Sequence, residues 1–285
     1  MILTSVSDMR FRFLISVLLL SAGLSAGAQC LPTRTDGVEP YQVNEKLEMS
    51  ISYNWHAVQT DVAKGTLTIG QENLKGEKVW HTRMTAVTAP FFDVFFKIRE
   101  RFDSWFTVKG EEPRRFIRDT YEGGYIATNE YIYDRNAGVI HAEVQRGDNP
   151  KVVKDIPFGS CTYDLTTLLY FVRKIDMSRV EKGRNYTVTF AIDEEVGKLT
   201  LNFKGRENKF IKGIGTVSAL KFGLGVRSGN VFEGDQAFLW LSDDDNRIPI
   251  AFMAPLKVGA MNGRLVRYEG LSNEFTALLS TKKIK

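Results

Sequence analysis

The stretch KLEMSISYNW, residues 46–55, alternates Leu47, Met49, Ile51 and Tyr53 with Glu48, Ser50, Ser52 and Asn54. Successive side chains of an extended chain point to opposite faces, so this pattern specifies a strand with one buried face. The same two-residue period returns in AKGTLTIGQ and, after a Lys75-Gly76 turn, in KVWHTRMTAV. EYIYDRNAGVIHAEVQ reads as a hairpin turning over residues 134–138. NYTVTFAIDEEVGKLTLNFKGRE reads as a second hairpin turning near 194–197, and AFLWLSDDDNRIPIAFMAPL as a third turning at 243–246. Aromatic residues make up 12% of the chain, which favours strands. Many strands at short spacing, with no linker, repeat or low-complexity tract between them, predict an all-β fold, mainly antiparallel. The expected architecture is one large curved sheet or barrel-like domain.

Two segments break the period. DLTTLLYFVRKID places Leu165, Leu168, Leu169 and Val172 at i, i+3, i+4 and i+7, the apolar stripe of a mid-chain amphipathic helix of about three turns. Asp164 or Thr162 supplies a cap. The stripe is expected to lie buried against the concave face of the sheet. PFFDVFFKIRERFDSWF, residues 90–106, is too dense in Phe for a half-exposed strand. A single helical turn or a buried bend leading into a strand fits it better.

The first 28 residues read as an export signal rather than as part of the fold. Arg10 and Arg12 are followed by the apolar run FLISVLLL and by Ala26-Gly27-Ala28, a small-x-small cleavage site. MRFRFLISVLLL, starting at Met9, is a tidier leader than the full extension, so Met1 and Met9 both remain candidate starts. Cleavage after Ala28 leaves a mature domain of residues 29–285, in the periplasm or associated with the outer membrane. No later stretch reaches membrane-spanning length.

Cys30 and Cys161 are the two cysteines. Lipid attachment at Cys30 calls for a small residue immediately before it, whereas Gln29 is large and polar, and the cleavage site falls one residue too early. Export places both thiols in an oxidising compartment, where the one possible intramolecular bridge is Cys30–Cys161. It would close a loop of about 130 residues, worth ~4–5 kcal/mol in the chain-entropy picture, and tie down the N-terminus.

A search for chemistry yields no catalytic residue, metal ligand set or cofactor motif. His56, His81 and His141 sit in separate strands or turns, without the clustering that zinc needs. SDDDNR, residues 242–247, has the oxygen density of a calcium loop but lacks the Gly and Glu of an EF-hand, and reads as a polar hairpin turn. FGLGVRSG misses the dinucleotide-binding spacing and reads as a flexible loop. Glu111-Glu112 and Glu194-Glu195 fall in turns, where solvation is expected. A net charge of +4 from 38 basic and 34 acidic residues, with the bases scattered, gives no nucleic-acid footprint. The feature with a functional alternative to simple core packing is the aromatic set Phe91, Phe92, Phe95, Phe96 and Trp105. As the wall of an apolar cavity it would suit a lipid or other hydrophobic ligand.

Five segments, in order, resemble one family. YQVNEKLEMSISYNWHAVQTDVAKGTLTI is similar to its opening strands, and RDTYEGGYIATNEYIYD to its R-x-x-x-EGGY…E-Y-y-D hairpin. CTYDLTTLLYFVRKID is similar to its D-lsalyylR-lD helix, AFLWLSDDDNRIPI to vWlSdDe-riPv, and LKVGAMNGRLVRYEG to its terminal strand. The family is the exported bacterial domain of unknown function 3108, and the resemblance is weakest over residues 205–235. It implies an exported β-rich protein and transfers no catalytic or binding residue. The AQC start, with a second Cys just before the helix, resembles the Bacteroidetes branch, which supports a Cys30–Cys161 bridge.

The functional expectation is a non-enzymatic envelope protein that binds an apolar ligand in the cavity of a curved sheet. A structural or assembly protein binding other envelope proteins is the alternative, and a periplasmic hydrolase is a third reading. The first calls for a cavity lined by the five aromatics. The second calls for an exposed apolar patch. The third calls for a cleft where acids and histidines converge with perturbed pKa values.

Overall fold

A computed structural model describes residues 31–283, apart from 56–57, 193, 229–230, 233–236 and 257–258. The leader, its cleavage site, Cys30 and His56 lie outside the described residues. The first half of the chain runs β1 (Lys46–Trp55), β2 (Val58–Leu74), β3 (Glu77–Thr88), the single turn α1 (Pro90–Asp93), β4 (Ile98–Thr107), β5 (Pro113–Glu122), β6 (Tyr125–Asp134), β7 (Val139–Arg146) and β8 (Val152–Pro157). Then come β9 (Thr162–Tyr163), the helix α2 (Leu165–Arg173), β10 (Asn185–Ile192), β11 (Glu195–Ile211), β12 (Gly215–Ser228) and β13 (Val231–Phe232). The chain finishes with β14 (Ala237–Ser242), β15 (Pro249–Pro255), β16 (Ala260–Glu269) and β17 (Leu278–Ser280).

Neighbouring strands pair in the order β8-β7-β6-β5-β4-β3-β2-β1-β16-β15-β14-β12-β11-β10, all antiparallel, and β9 adds a short parallel pairing to β10. The sheet is unclosed, because β8 and β10 do not pair. It is nonetheless strongly curled. Helix α2 touches β3 and β4 on one side and β10 on the other, and those strands lie far apart in the sheet order. A sheet can reach one helix from both sides only by wrapping around it. Bulges in β2, β11, β15 and β16 supply part of that bend.

The alternation reads out as expected. Leu47 of β1, Leu67 and Ile69 of β2 and Trp80 of β3 point inward and pack with Tyr170 of the helix. Asp164 caps α2 by accepting a hydrogen bond from the Thr167 amide at 2.8 Å. The apolar stripe is corrected in part. Leu168 and Val172 are buried and Leu169 is partly buried, but Leu165 is 38% exposed. Tyr170, Phe171 and even Arg173 are buried as well. A stripe pattern presumes one solvent face, whereas a helix enclosed by a curled sheet has almost none. The glycine-rich FGLGVRSG is corrected too: residues 222–228 lie within β12, where Gly223 and Gly225 pair with Asn202 and Thr200. Phe222 and Leu224 alternate with these glycines and keep the strand's period.

Antiparallel register sorts the turns to two ends. At one end the α2 C-terminus, the β4–β5 turn and the β14–β15 turn are locked together. Arg173 donates to both Glu45 oxygens at 2.6 and 2.7 Å, to the Pro40 carbonyl at 2.7 Å and to the Asn246 carbonyl at 3.0 Å. Lys174 pairs with Glu111 at 2.7 Å, and Glu111 accepts from the Tyr41 hydroxyl at 3.0 Å. Glu111 was expected to be solvated in its turn, yet it is buried, because Tyr41 and Lys174 cover it. The SDDDNR segment forms the expected hairpin turn. Asp244 accepts from the Asn246 and Arg247 amides, and the Ser242 hydroxyl accepts from the Ile248 amide.

Candidate functional site

The opposite end is built differently. Here the β3–β4, β5–β6 and β7–β8 turns stand side by side, since Thr88, Ile98, Glu122, Tyr125, Arg146 and Val152 all close their strands at this edge. Pro90 starts α1 without a side-chain cap, and the single helical turn ends at once. It carries Phe91 out to 71% exposure, with Val94 at 84% and Phe95 at 72%. The rings of Phe91 and Phe92 meet edge-on at 5.1 Å, and Phe95 leans on Phe91 at 5.9 Å. Of the two forms expected for this segment, the structure has the single helical turn and not the buried bend: a four-residue helix at a strand end has no second layer above it to cover its rings.

The tip is nonetheless anchored. Arg99 of β4 ion-pairs with Asp93 and hydrogen-bonds Thr88 at 3.1 Å, and Thr88 also hydrogen-bonds Asp93. The Arg99 guanidinium holds the Asp93 carboxyl down to about 2, so its charge is neutralised in place. Phe96 turns back onto Gly123 of the EGGY segment. Gly123 has φ +53°, and a Cβ there would stand 2.5 Å from the Phe96 ring. Glycine is therefore required twice over, by conformation and by space.

Just inside this end lies a polar layer on the inner face of β4 and β5. Glu100 accepts from the Thr120 hydroxyl at 3.0 Å and from Arg118 at 3.5 Å. Glu122, also buried, hydrogen-bonds Glu100. Burial raises the Glu100 carboxyl above its ordinary value, against the opposing pull of Arg118, Glu122 and Thr120. Arg118 and Glu122 are the charged positions of the R-x-x-x-EGGY segment. The sequence pattern assigns them no role, because their shared inward face follows only from the β4–β5 register.

Of the five aromatics singled out in the sequence, Phe91, Phe92, Phe95 and Phe96 are brought together and Trp105 is not. Trp105 sits toward the other end of β4, on the outer face, stacked on His81 at 4.5 Å and donating to Glu72 at 2.8 Å. His81 in turn contacts Asp103 at 2.8 Å. Two clefts among the described residues lie elsewhere. One cleft of about 350 Å³ lies outside β1–β3 by Lys46, Thr68, His81 and Arg83. Another, of about 410 Å³, opens at the seam by Pro157, Phe158, Cys161 and Thr189. None of the five borders the second, and none borders the first. His141 is exposed and pairs with Asp155 at 2.7 Å. No group of three or more His, Cys, Asp or Glu among the described residues is placed to hold a metal. Cys161 is buried in the same cluster as Leu31, the residue that follows Cys30. No helix among the described residues is long and apolar enough to cross a membrane.

Fold and site together define an unclosed β-barrel-like body plugged by one helix, locked at one end and apolar at the other. The chain belongs to the family described as protein of unknown function (DUF3108), which matches residues 48–266. Among solved structures it is similar to a beta-barrel-like protein of domain of unknown function DUF1849 from Brucella abortus. That match has a TM-score of 0.53 and 11% identity, over 81% of this chain and 98% of that one. A protein assigned as exported, with a YmcC-like fold, from Bacteroides fragilis aligns at TM-score 0.34 and 7% identity, over 84% of this chain and 100% of that one. A protein assigned as a lipoprotein from Parabacteroides distasonis aligns at TM-score 0.34 and 10% identity, over 85% and 100%. Scores this low establish no shared fold for the latter two. No curated protein sequence matches the chain.

Proposed function

We propose that this is an exported envelope protein that works by binding rather than by catalysis, and that its contact surface is the apolar β3–β4 tip. The observation that carries this reading is the exposure of Phe91, Val94 and Phe95, each above 70%, on a turn whose own polar groups are tied off by Arg99. Burying such side chains is favourable by roughly 1.5–3 kcal/mol each, so leaving them in water calls for a reason. The outer-face position of Trp105, away from the four phenylalanines, favours a partner other than a ligand enclosed by all five aromatics. An apolar partner would instead meet the tip from outside. The leader, cleaved after Ala28, would deliver residues 29–285 as one domain, and a Cys30–Cys161 bridge would hold its N-terminus where Leu31 already packs beside Cys161.

The test is site-specific photo-crosslinking in intact cells. A photoreactive residue at Phe95 should give a discrete adduct with an envelope component, and Phe91→Asp should abolish it. The same probe at Phe210 or Leu279, which are 43% and 49% exposed but lie away from the tip, should give none. Equal labelling from all three positions would remove the reading.

A further inference from the structure

The tip is part of a larger feature. Of the twelve large hydrophobic side chains exposed among the described residues, eight lie on the turns or within two residues of the strand ends at this one edge. Beyond the β3–β4 turn they include Tyr125 and Ile126 at the start of β6, at 44% and 51% exposure, and Val153 at the start of β8, at 68%. The other four are scattered: Val43, Leu165, Phe210 and Leu279. A random distribution over a curled sheet would not gather two thirds of them on one rim.

The shape of this rim and its charge select the partner. The apolar side chains stand on the β3–β4 turn and at the ends of β3, β6 and β8, and they line neither of the two clefts, so they offer an exposed edge to a surface that deforms around them. The acidic group of the tip, Asp93, is neutralised by Arg99. The cation beside it, Lys97, is exposed and stands over the Tyr121 ring at 5.4 Å. Rings at the end, a tyrosine behind them and a lysine at the same level form the order of groups that a lipid–water interface accepts. Rings and valines enter the acyl boundary, while the ammonium stays among anionic headgroups.

Resting on the binding reading above, we infer that the partner of this edge is an anionic lipid surface, into which the β3–β4 and β5–β6 turns insert. The locked end, with the Arg173 cluster, then faces away from the membrane. The interior Glu100–Arg118–Glu122 layer stays behind the inserted rim, shielded by Phe96 packed on Gly123.

Vesicle flotation tests it with the purified protein. Vesicles of phosphatidylcholine with phosphatidylglycerol should carry the protein up the gradient, and vesicles of phosphatidylcholine alone should carry less. Phe91→Asp with Phe95→Asp should lower partition at least about tenfold, since two exposed rings lose their apolar medium. Lys97→Glu should weaken binding to anionic vesicles about fivefold or more, leave neutral vesicles nearly unaffected, and flatten the salt dependence. Because these side chains are exposed, unchanged far-ultraviolet circular dichroism shows that the variants remain folded. No flotation of the native protein, or flotation unaltered in the double variant, overturns the inference. If flotation fails while the Phe95 photo-adduct is a protein and is lost on Phe91→Asp, the membrane is the wrong partner and the binding reading survives. If neither assay responds to the tip, both fall.

Discussion

Replacing Arg173 with Met should be among the most damaging single changes in the chain. The side chain is fully buried, and so is its partner Glu45. Its fork spans both carboxylate oxygens and two backbone carbonyls, those of Pro40 and Asn246, so one residue joins the N-terminal segment, the helix and the β14–β15 turn. The rings of Tyr41 and Tyr170 lie 5.3 Å from the guanidinium and add cation–π attraction. Met fills similar volume but leaves Glu45 as a buried carboxyl with no cation. Breaking a buried pair from one side costs about 3–5 kcal/mol, and the two orphaned carbonyls place the expectation near the upper end. The assay is equilibrium urea unfolding, read as a shift in midpoint at constant slope. The double variant Arg173→Met with Glu45→Met should lose less than Arg173→Met alone, because no isolated charge is left inside. Arg173→Lys should fall in between, since an ammonium keeps the charge but cannot span four acceptors. A loss under about 1 kcal/mol for Arg173→Met, or a double variant worse than the single, would refute the reasoning.

Along α2, Leu168→Ala should cost about 2–5 kcal/mol while the exposed Leu165→Ala costs under about 0.5; equal losses in urea unfolding would contradict the enclosed-helix geometry. Glu48 is held down to about 2 by hydrogen bonds from Lys46 and Lys64. Its contribution is present above the ordinary glutamate value of about 4.3 and is lost as pH falls through about 2. The gap in melting temperature between the native protein and Glu48→Gln should therefore be open at neutral pH and close across that acid window. Cys30→Ser and Cys161→Ser should each lower stability by a similar amount, up to ~4–5 kcal/mol, and a non-reducing peptide map should join the two cysteine peptides. Unequal losses, or separate peptides, would argue against the bridge.

Strand content was legible because a period of two is local: KLEMSISYNW declares its buried face without knowing its neighbours. The hairpin turns expected at 134–138 and 243–246, which the structure places at 135–138 and 243–248, were legible for the same reason, being runs of turn-forming residues between such strands. Asp164 as the helix cap was readable because a cap acts over three residues. Partners distant in the chain were not readable. Arg173 meets Glu45 across 128 positions, and nothing in VRKID says that its arginine is buried rather than solvated. Glu111 sits in a turn that only the fold reveals to be covered. The Phe cluster failed in the other direction. Composition says that phenylalanines are buried, and only the end of the sheet shows that no layer remains to bury them.

The segments that carry the family resemblance divide between the two ends, and the division bears on where function lies. Asp164 and Arg173 of the helix segment, Ser242 and Asn246 of the SDDDNR turn and Glu45 beside the first strand are used up in capping and locking. Their hydrogen bonds are spent within the chain, locally at the caps and turns and across long separations at Arg173 and Asn246, and a change at any of them acts through stability. At the open end Gly123 is accounted for by Phe96, but the partly buried Arg118 and buried Glu122 are paired with Glu100 in an interior that a hydrocarbon side chain could fill at lower desolvation cost. Charge is retained there, directly behind the edge where most of the exposed large apolar side chains of the described residues gather. The locked end thus reads as scaffold. The open end, which stability alone does not explain, is where a partner would be met.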